Sequence, residues 1–234
     1  MTGPGGMTPG AARDGDGTGA CSAAVVIGDE ADLATAVAGR PHRPLRWWPT
    51  RAVGLARTLG LAEDARVPGE RTGAERVVVT VDGLEIHGGG PAPERLALAV
   101  VVGGIDPRRL GARHRRRPVQ VRIDGTTWFE GRATTVVIAN AEFLGTADLA
   151  PRAHPGDGWL DAQVYALPPA QRAAMRRRLP TGTHLPHPSL PTRRARTVEV
   201  RTAAPWPWTA DGRALGRRSL VTVRVTPGVC RLVL

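Results

Sequence analysis

The chain has 234 residues, enough for one large domain or two small ones, and a 41% share of hydrophobic residues supplies a core. Its formal charge of +11 points toward an anionic partner, but all 32 basic residues are Arg, so sequence-wide bias explains the charge before any single binding surface does. Aromatics at 4%, with 29 Gly and 21 Pro, favour strands and turns around a core of Val, Leu, Ile and Ala over long helices.

Residues 1–22 are dominated by Gly, Ala, Thr, Pro and Asp, hold no apolar core that would make a signal peptide, and are expected to form a disordered leader. Residues 23–27 (AAVVI) read as a strand ended by Gly28-Asp29, and residues 30–38 as a helix. A second strand is predicted over residues 45–48, closed by Pro49, and a short helix over residues 52–61. This opening is α/β in rhythm, and its boundary is expected within residues 62–75.

From Arg76 the rhythm changes to short strand-like runs at 77–82, 96–102, 118–124, 133–139, 159–166, 197–202, 219–225 and 229–234. That spacing predicts a β-sandwich or barrel. Asp82-Gly83, Asp124-Gly125 and Asp211-Gly212 have hairpin-turn chemistry, since Gly accepts positive φ and Asp tolerates it. One helix, residues 168–179, is predicted to interrupt the strands, with Pro at its start and Arg176, Arg177 and Arg178 at its end. Trp206 and Trp208 alternate at strand spacing and read as a core layer in preference to the edge of a lipid pocket.

Cys21 and Cys230 lie far apart and indicate neither a disulfide framework nor a thiolate metal site, which suits a cytoplasmic protein. The longest apolar run, residues 96–105, is far shorter than the roughly 20 residues that cross a bilayer, so any membrane contact is expected to be peripheral. Arg115, Arg116, Arg117 and the cluster 176–178 are the segments that would meet an anionic lipid surface; nucleic acid ranks well behind.

Residues 136–158 (VVIANAEFLGTADLAPRAHPGDG) carry the most information. An apolar strand runs into Ala139-Asn140, then Phe143-Leu144-Gly145, Leu149-Ala150-Pro151 and Asp157-Gly158. Further on stand Gly182-Thr183-His184-Leu185, His187-Pro188, Asp211-Gly212 and the ending Val225-Thr226-Pro227 with its apolar tail. In order and spacing the chain resembles the C-terminal domain of the diacylglycerol kinase and sphingosine kinase superfamily of lipid kinases over residues 76–234.

The resemblance implies an α+β protein: a small truncated α/β (Rossmann-like kinase) region at residues 23–70, then a β-sandwich C-terminal domain. It implies ATP as phosphoryl donor, a lipid with a free hydroxyl as acceptor, and Asp29 and Asp211 nearest the chemistry. Gly28, Asp29, Thr50 and Gly212 would hold the nucleotide. A structural Mg²⁺ would sit on the Asp157 carboxylate with the carbonyls of His154 and Trp159, hard oxygen donors of the kind Mg²⁺ takes.

The nucleotide motifs depart from the family pattern. The Gly-Gly-Asp-Gly-Thr loop is best matched by Ile27-Gly28-Asp29-Glu30-Ala31; Asp14-Gly15-Asp16-Gly17-Thr18 is nearer in spelling, but no strand precedes it. Residues 49–57 keep the ends of the family's "PxGTxNDfAR" motif and lose its Gly-Thr and Asn-Asp. The family's Asp-Gly-Glu stands as Asp211-Gly212-Arg213, and its first βαβ section finds no counterpart in the sequence. Two functions are therefore expected: a weakened ATP-dependent lipid kinase, or a non-catalytic relative that binds a lipid or a protein.

Overall fold

The computed structural model describes residues 24–39, 44–61 and 78–233. The expected leader, the Asp14 motif, Cys21 and the boundary in residues 62–75 lie outside the described residues.

The chain opens with β1 (Ala24–Gly28), α1 (Glu30–Gly39), β2 (Pro44–Pro49) and the short α2 (Gly54–Thr58). β1 and β2 are parallel, as a strand-helix-strand unit requires. Then come β3 (Val78–His87), β4 (Arg95–Ala97), β5 (Val100–Gly104), β6 (Arg117–Ile123), β7 (Thr126–Ala133), β8 (Thr135–Ala139), β9 (Phe143–Leu144) and β10 (Ala147–Asp148). The remainder is β11 (Leu160–Tyr165), α3 (Arg172–Arg178), β12 (Thr192–Ala195), β13 (Thr197–Ala210) and β14 (Arg213–Val233).

Twelve strands share one hydrogen-bonded network, while β9 and β10 form a separate ribbon. β13 pairs with β6 through its first half and with β5 through its last residues, with a register shift between Arg201 and Trp206. One strand thus passes between the two layers of a sandwich. Their shared interior holds Trp206, Trp208, Val121, Val200, Val223 and Ile138. The two tryptophans are core, as predicted. A second cluster, with Leu110, Tyr165, Met175 and Leu179, lies beneath α3.

The sandwich and the opening α/β unit are not separate sheets. β14 pairs with β13 and β3 and, at its end, with β2 through Arg231–Pro44 and Leu232–Leu45. A third core, with Leu33, Val37, Leu45 and Leu55 facing Val81, Leu98, Val229 and Cys230, spans the junction.

Three local expectations are corrected. Asp82-Gly83 is not a hairpin turn but lies inside β3, where a Cβ at Gly83 would meet Leu96 and Val229 at 2.7–2.9 Å. The run 96–102 is not one strand: it breaks at Leu98-Ala99, between β4 and β5. The segment 168–179 is α-helical only over Arg172–Arg178, with 3-10 turns at Pro169–Gln171 and Leu179–Thr181, where the proline nitrogens have no N–H to donate. By contrast, Asp124-Gly125 and Asp211-Gly212 are hairpin turns with all four residues at positive φ.

Candidate functional site

The strand-to-helix turn after β1 is shaped by its charges. Gly28 has φ +151°, and a Cβ there would strike the Asp32 carboxylate at 2.1 Å. The Asp29 Oδ1 accepts from the N–H groups of Ala31 (2.9 Å) and Asp32 (3.0 Å), and the Asp32 Oδ2 accepts from the Asp29 N–H (3.0 Å). This reciprocal pair caps α1 with its own carboxylates. Arg213, arriving from the β13–β14 hairpin, pairs with Asp32 and with Asp29 at 3.4 Å. Its hydrogen bond to Asp32 is the leading reason that the Asp32 carboxyl is held below its ordinary range.

Glu30 turns toward α2. Its Oε1 accepts the Leu55 N–H at 3.0 Å, and it lies where a Cβ on Gly54 (φ +55°) would be, 2.0 Å away. Burial pushes the Glu30 carboxyl up to about 7, the nearby Asp211 and Asp29 carboxylates add to the rise, and backbone N–H donors oppose it. Asp211 reaches under the β4–β5 corner and accepts from the N–H groups of Leu98 (2.7 Å), Ala99 (3.0 Å) and Val100 (2.9 Å). Burial raises its carboxyl, against the pull of those donors.

The structure therefore brings Gly28, Asp29 and Asp211 to one end of the molecule, with Glu30, Asp32 and Arg213. Thr50 is exposed nearby, its N–H on the Gly28 carbonyl at 3.3 Å, and Gly212 is the exposed second residue of the hairpin turn. These residues do not fit a nucleotide. Phosphate binding at a strand-to-helix turn needs backbone N–H groups left open to an anion. Here three of those donors serve Asp29 and Asp32, the Leu55 N–H serves Glu30, and four carboxylates face a single paired arginine.

Asp157, His154 and Trp159 lie together at the turn before β11, tied to β3 by the Gly158 N–H on Asp82 (2.7 Å). The Asp157 carboxylate accepts the Trp159 N–H (3.0 Å) and pairs with Arg194. Arg194 and Arg196 stand over the Trp159 ring at 5.5 and 5.0 Å. The His154 Nδ1 accepts the Gly156 N–H (3.2 Å). Among the described residues no three or more His, Cys, Asp or Glu gather as metal ligands. A carboxylate already holding a guanidinium is a poor fit for Mg²⁺.

Sequence reasoning missed Asp82 and the Asp32–Arg213 pair. Asp82 is buried, accepts from Gly158 and Gly228 (2.8 Å), and its carbonyl receives Asn140 Nδ2 (2.9 Å). The Asp-Gly spelling masked it. Asp32 was legible as an acid in the first turn of a helix; its partner, far along the chain, was not.

No curated protein matches the sequence. Among solved structures the fold is similar to a proposed diacylglycerol kinase from Bacillus anthracis str. Sterne, with TM-score 0.70 and 16% identity over 89% of this chain and 76% of that one. Two further structures from the same organism, one again a proposed diacylglycerol kinase and one described as a diacylglycerol kinase, give TM-scores of 0.68 and 0.66 at 20% and 18% identity. They cover 89% of this chain and 77% and 75% of theirs. The model of the "YegS C-terminal NAD kinase beta sandwich-like domain" matches residues 108–234, more than half of the chain. The chain thus belongs to the YegS C-terminal NAD kinase beta sandwich-like domain family.

Proposed function

We propose that this chain is a lipid-kinase-fold protein that binds a lipid with a free hydroxyl, or a protein, without transferring phosphate from ATP. The observation that carries this reading is the occupation of the strand-to-helix turn by the chain's own groups: Asp29 and Asp32 cap α1, and Glu30 holds the Leu55 N–H. Phosphoryl transfer depends on positioning and on neutralising phosphate charge. An ATP tetra-anion would have to displace these carboxylates and then remain beside them.

The second reading, ATP-dependent phosphorylation of a lipid hydroxyl, is favoured by the family itself and by Asp29 standing at the end of a strand before a helix. One experiment separates the two. Purified chain is titrated with Mg·ATP in a calorimeter and incubated with lipid extract and radioactive ATP. No heat of binding and no labelled lipid are expected. Labelling that Asp29→Ala abolishes while Asp106→Ala spares it would overturn the non-catalytic reading.

A cytoplasmic protein meeting an anionic bilayer from its surface is the companion proposal. Arg172 donates to the carbonyls of Gly111 (2.9 Å) and His114 (2.5 Å), so the exposed Arg115, Arg116 and Arg117 follow a loop held against α3, which carries the exposed Arg176, Arg177 and Arg178. No helix among the described residues is long and apolar enough to cross a membrane.

A further inference from the structure

The outward face of the sandwich carries a polar row that the kinase-like end does not use. Register places His87 on β3 beside Thr222 on β14, Thr222 beside Glu199 on β13, and Glu199 beside Arg122 on β6. Side chains two residues apart on a strand share a face, so Arg224 and Arg201 join the row, while Ile86, Val121, Val200, Val221 and Val223 point into the core. These groups line a groove of about 470 Å³.

Two features set this groove apart from an ordinary solvated face. His87 is only 9% exposed, and its Nε2 is buried with no hydrogen-bond partner, the Glu85 carboxylate standing off at 3.9 Å. A buried polar atom without a partner is uncommon and calls for a ligand or an ordered water. The guanidinium groups are also unevenly balanced. Glu199 takes Arg201 Nε at 2.9 Å and Arg122 Nη1 at 3.7 Å, while the Arg224 side chain makes no hydrogen bond or ion pair among the described residues. The groove lining thus holds three arginines and one carboxylate, with a second carboxylate, Glu85, at its edge opposite Arg224 in register.

We infer that this groove binds a phosphate monoester, the dianion meeting Arg224, Arg201 and Arg122 beside the Thr222 hydroxyl, with the buried His87 ring behind them. Guanidinium groups match phosphate oxygens in geometry and charge. The volume is in the range of small-molecule sites and exceeds what bare phosphate fills. Leu220 and Pro91 offer apolar wall for the organic part. Glu199 competes with the ligand for two of the arginines.

That competition gives variants of opposite sign. The full-length chain is titrated calorimetrically with inorganic phosphate and with glycerol 3-phosphate. Saturable binding is expected, about tenfold weaker in Arg224→Gln through loss of one charge-assisted contact, several-fold tighter in Glu199→Gln, and unchanged in the remote Arg109→Gln. Phosphatidylcholine vesicles with and without phosphatidic acid then identify the source of the phosphate. Co-sedimentation that needs phosphatidic acid and falls in Arg224→Gln assigns a lipid headgroup; binding of the soluble esters alone assigns a soluble monoester. The inference is overturned if the wild type does not bind, or if Glu199→Gln and Arg224→Gln both bind like the wild type. Glu199→Gln decides the matter if Arg224→Gln does not fold.

Discussion

Glu30 shows most directly how one residue bears on function. At a position where the family pattern has Gly, it places a half-buried carboxylate on the Leu55 N–H with its carboxyl raised from 4.5 to about 7. The folded chain therefore holds more protons than the unfolded chain between those values, and stability falls as pH rises through that window. Glu30→Gln keeps an oxygen for the Leu55 N–H and removes the titration. Thermal melts from pH 4.5 to 8 should show the wild-type midpoint declining relative to Glu30→Gln; parallel profiles would show that Glu30 is not held in this way. Asp157 offers a second test. With Arg194 on its carboxylate, added Mg²⁺ should leave the melting temperatures of wild type and Asp157→Ala equally unmoved, and a rise confined to the wild type would restore the metal reading. Asp29, Glu30 and Asp157 could be singled out in the sequence because each sits in a local pattern. The cation that holds each pair is distant in sequence, Arg213 for Asp29 and Arg194 for Asp157, and only the folded chain brings them together.

Asp211 does its visible work on secondary-structure elements. Its carboxylate accepts three successive N–H groups at Leu98, Ala99 and Val100, and so fixes the corner where the apolar run 96–102 leaves β4 and enters β5. Periodicity could not show this break, because both sides of it are equally apolar and the cause is one side chain more than a hundred residues away. The same blindness made Asp82-Gly83 look like a turn: the pair has turn chemistry, but Gly83 is small because Leu96 and Val229 close over it. Asp124-Gly125 and Asp211-Gly212 were legible because there the local chemistry and the tertiary demand agree. Asp211→Gly keeps the positive φ and deletes the carboxylate, leaving buried donors unpaired. It should lower stability by at least about 2 kcal/mol, read as a smaller urea midpoint at unchanged slope. Asp211→Asn, with one acceptor oxygen left, should fall between. A near-neutral Asp211→Gly would release Asp211 from this structural role and return it to the list of groups free for chemistry.

At the scale of the molecule, β14 joins what the sequence presents as two regions. The change of rhythm near Arg76 suggested an α/β piece followed by a sandwich, and both architectures are present; their common sheet and common core were not readable, since two register pairs between β14 and β2 join residues nearly two hundred positions apart. Leu33, Leu45 and Leu55 from the first region bury Val81, Leu98, Val229 and Cys230 from the second. If these form one cooperative body, Cys230 is a reporter of it. Burial pushes its thiol up to about 12, and only the thiolate reacts. In a Cys21→Ser background, a thiol reagent should label Cys230 no faster than the whole chain unfolds. Leu45→Ala, a buried truncation costing about 2–5 kcal/mol, should speed labelling and the loss of sandwich circular dichroism by the same factor. Rapid labelling while the sandwich signal persists would mean that the α/β unit lifts off by itself, leaving the open face of β14 and β3 to another occupant; coincident rates would mean that the α/β unit and the sandwich unfold as one body through the core they share.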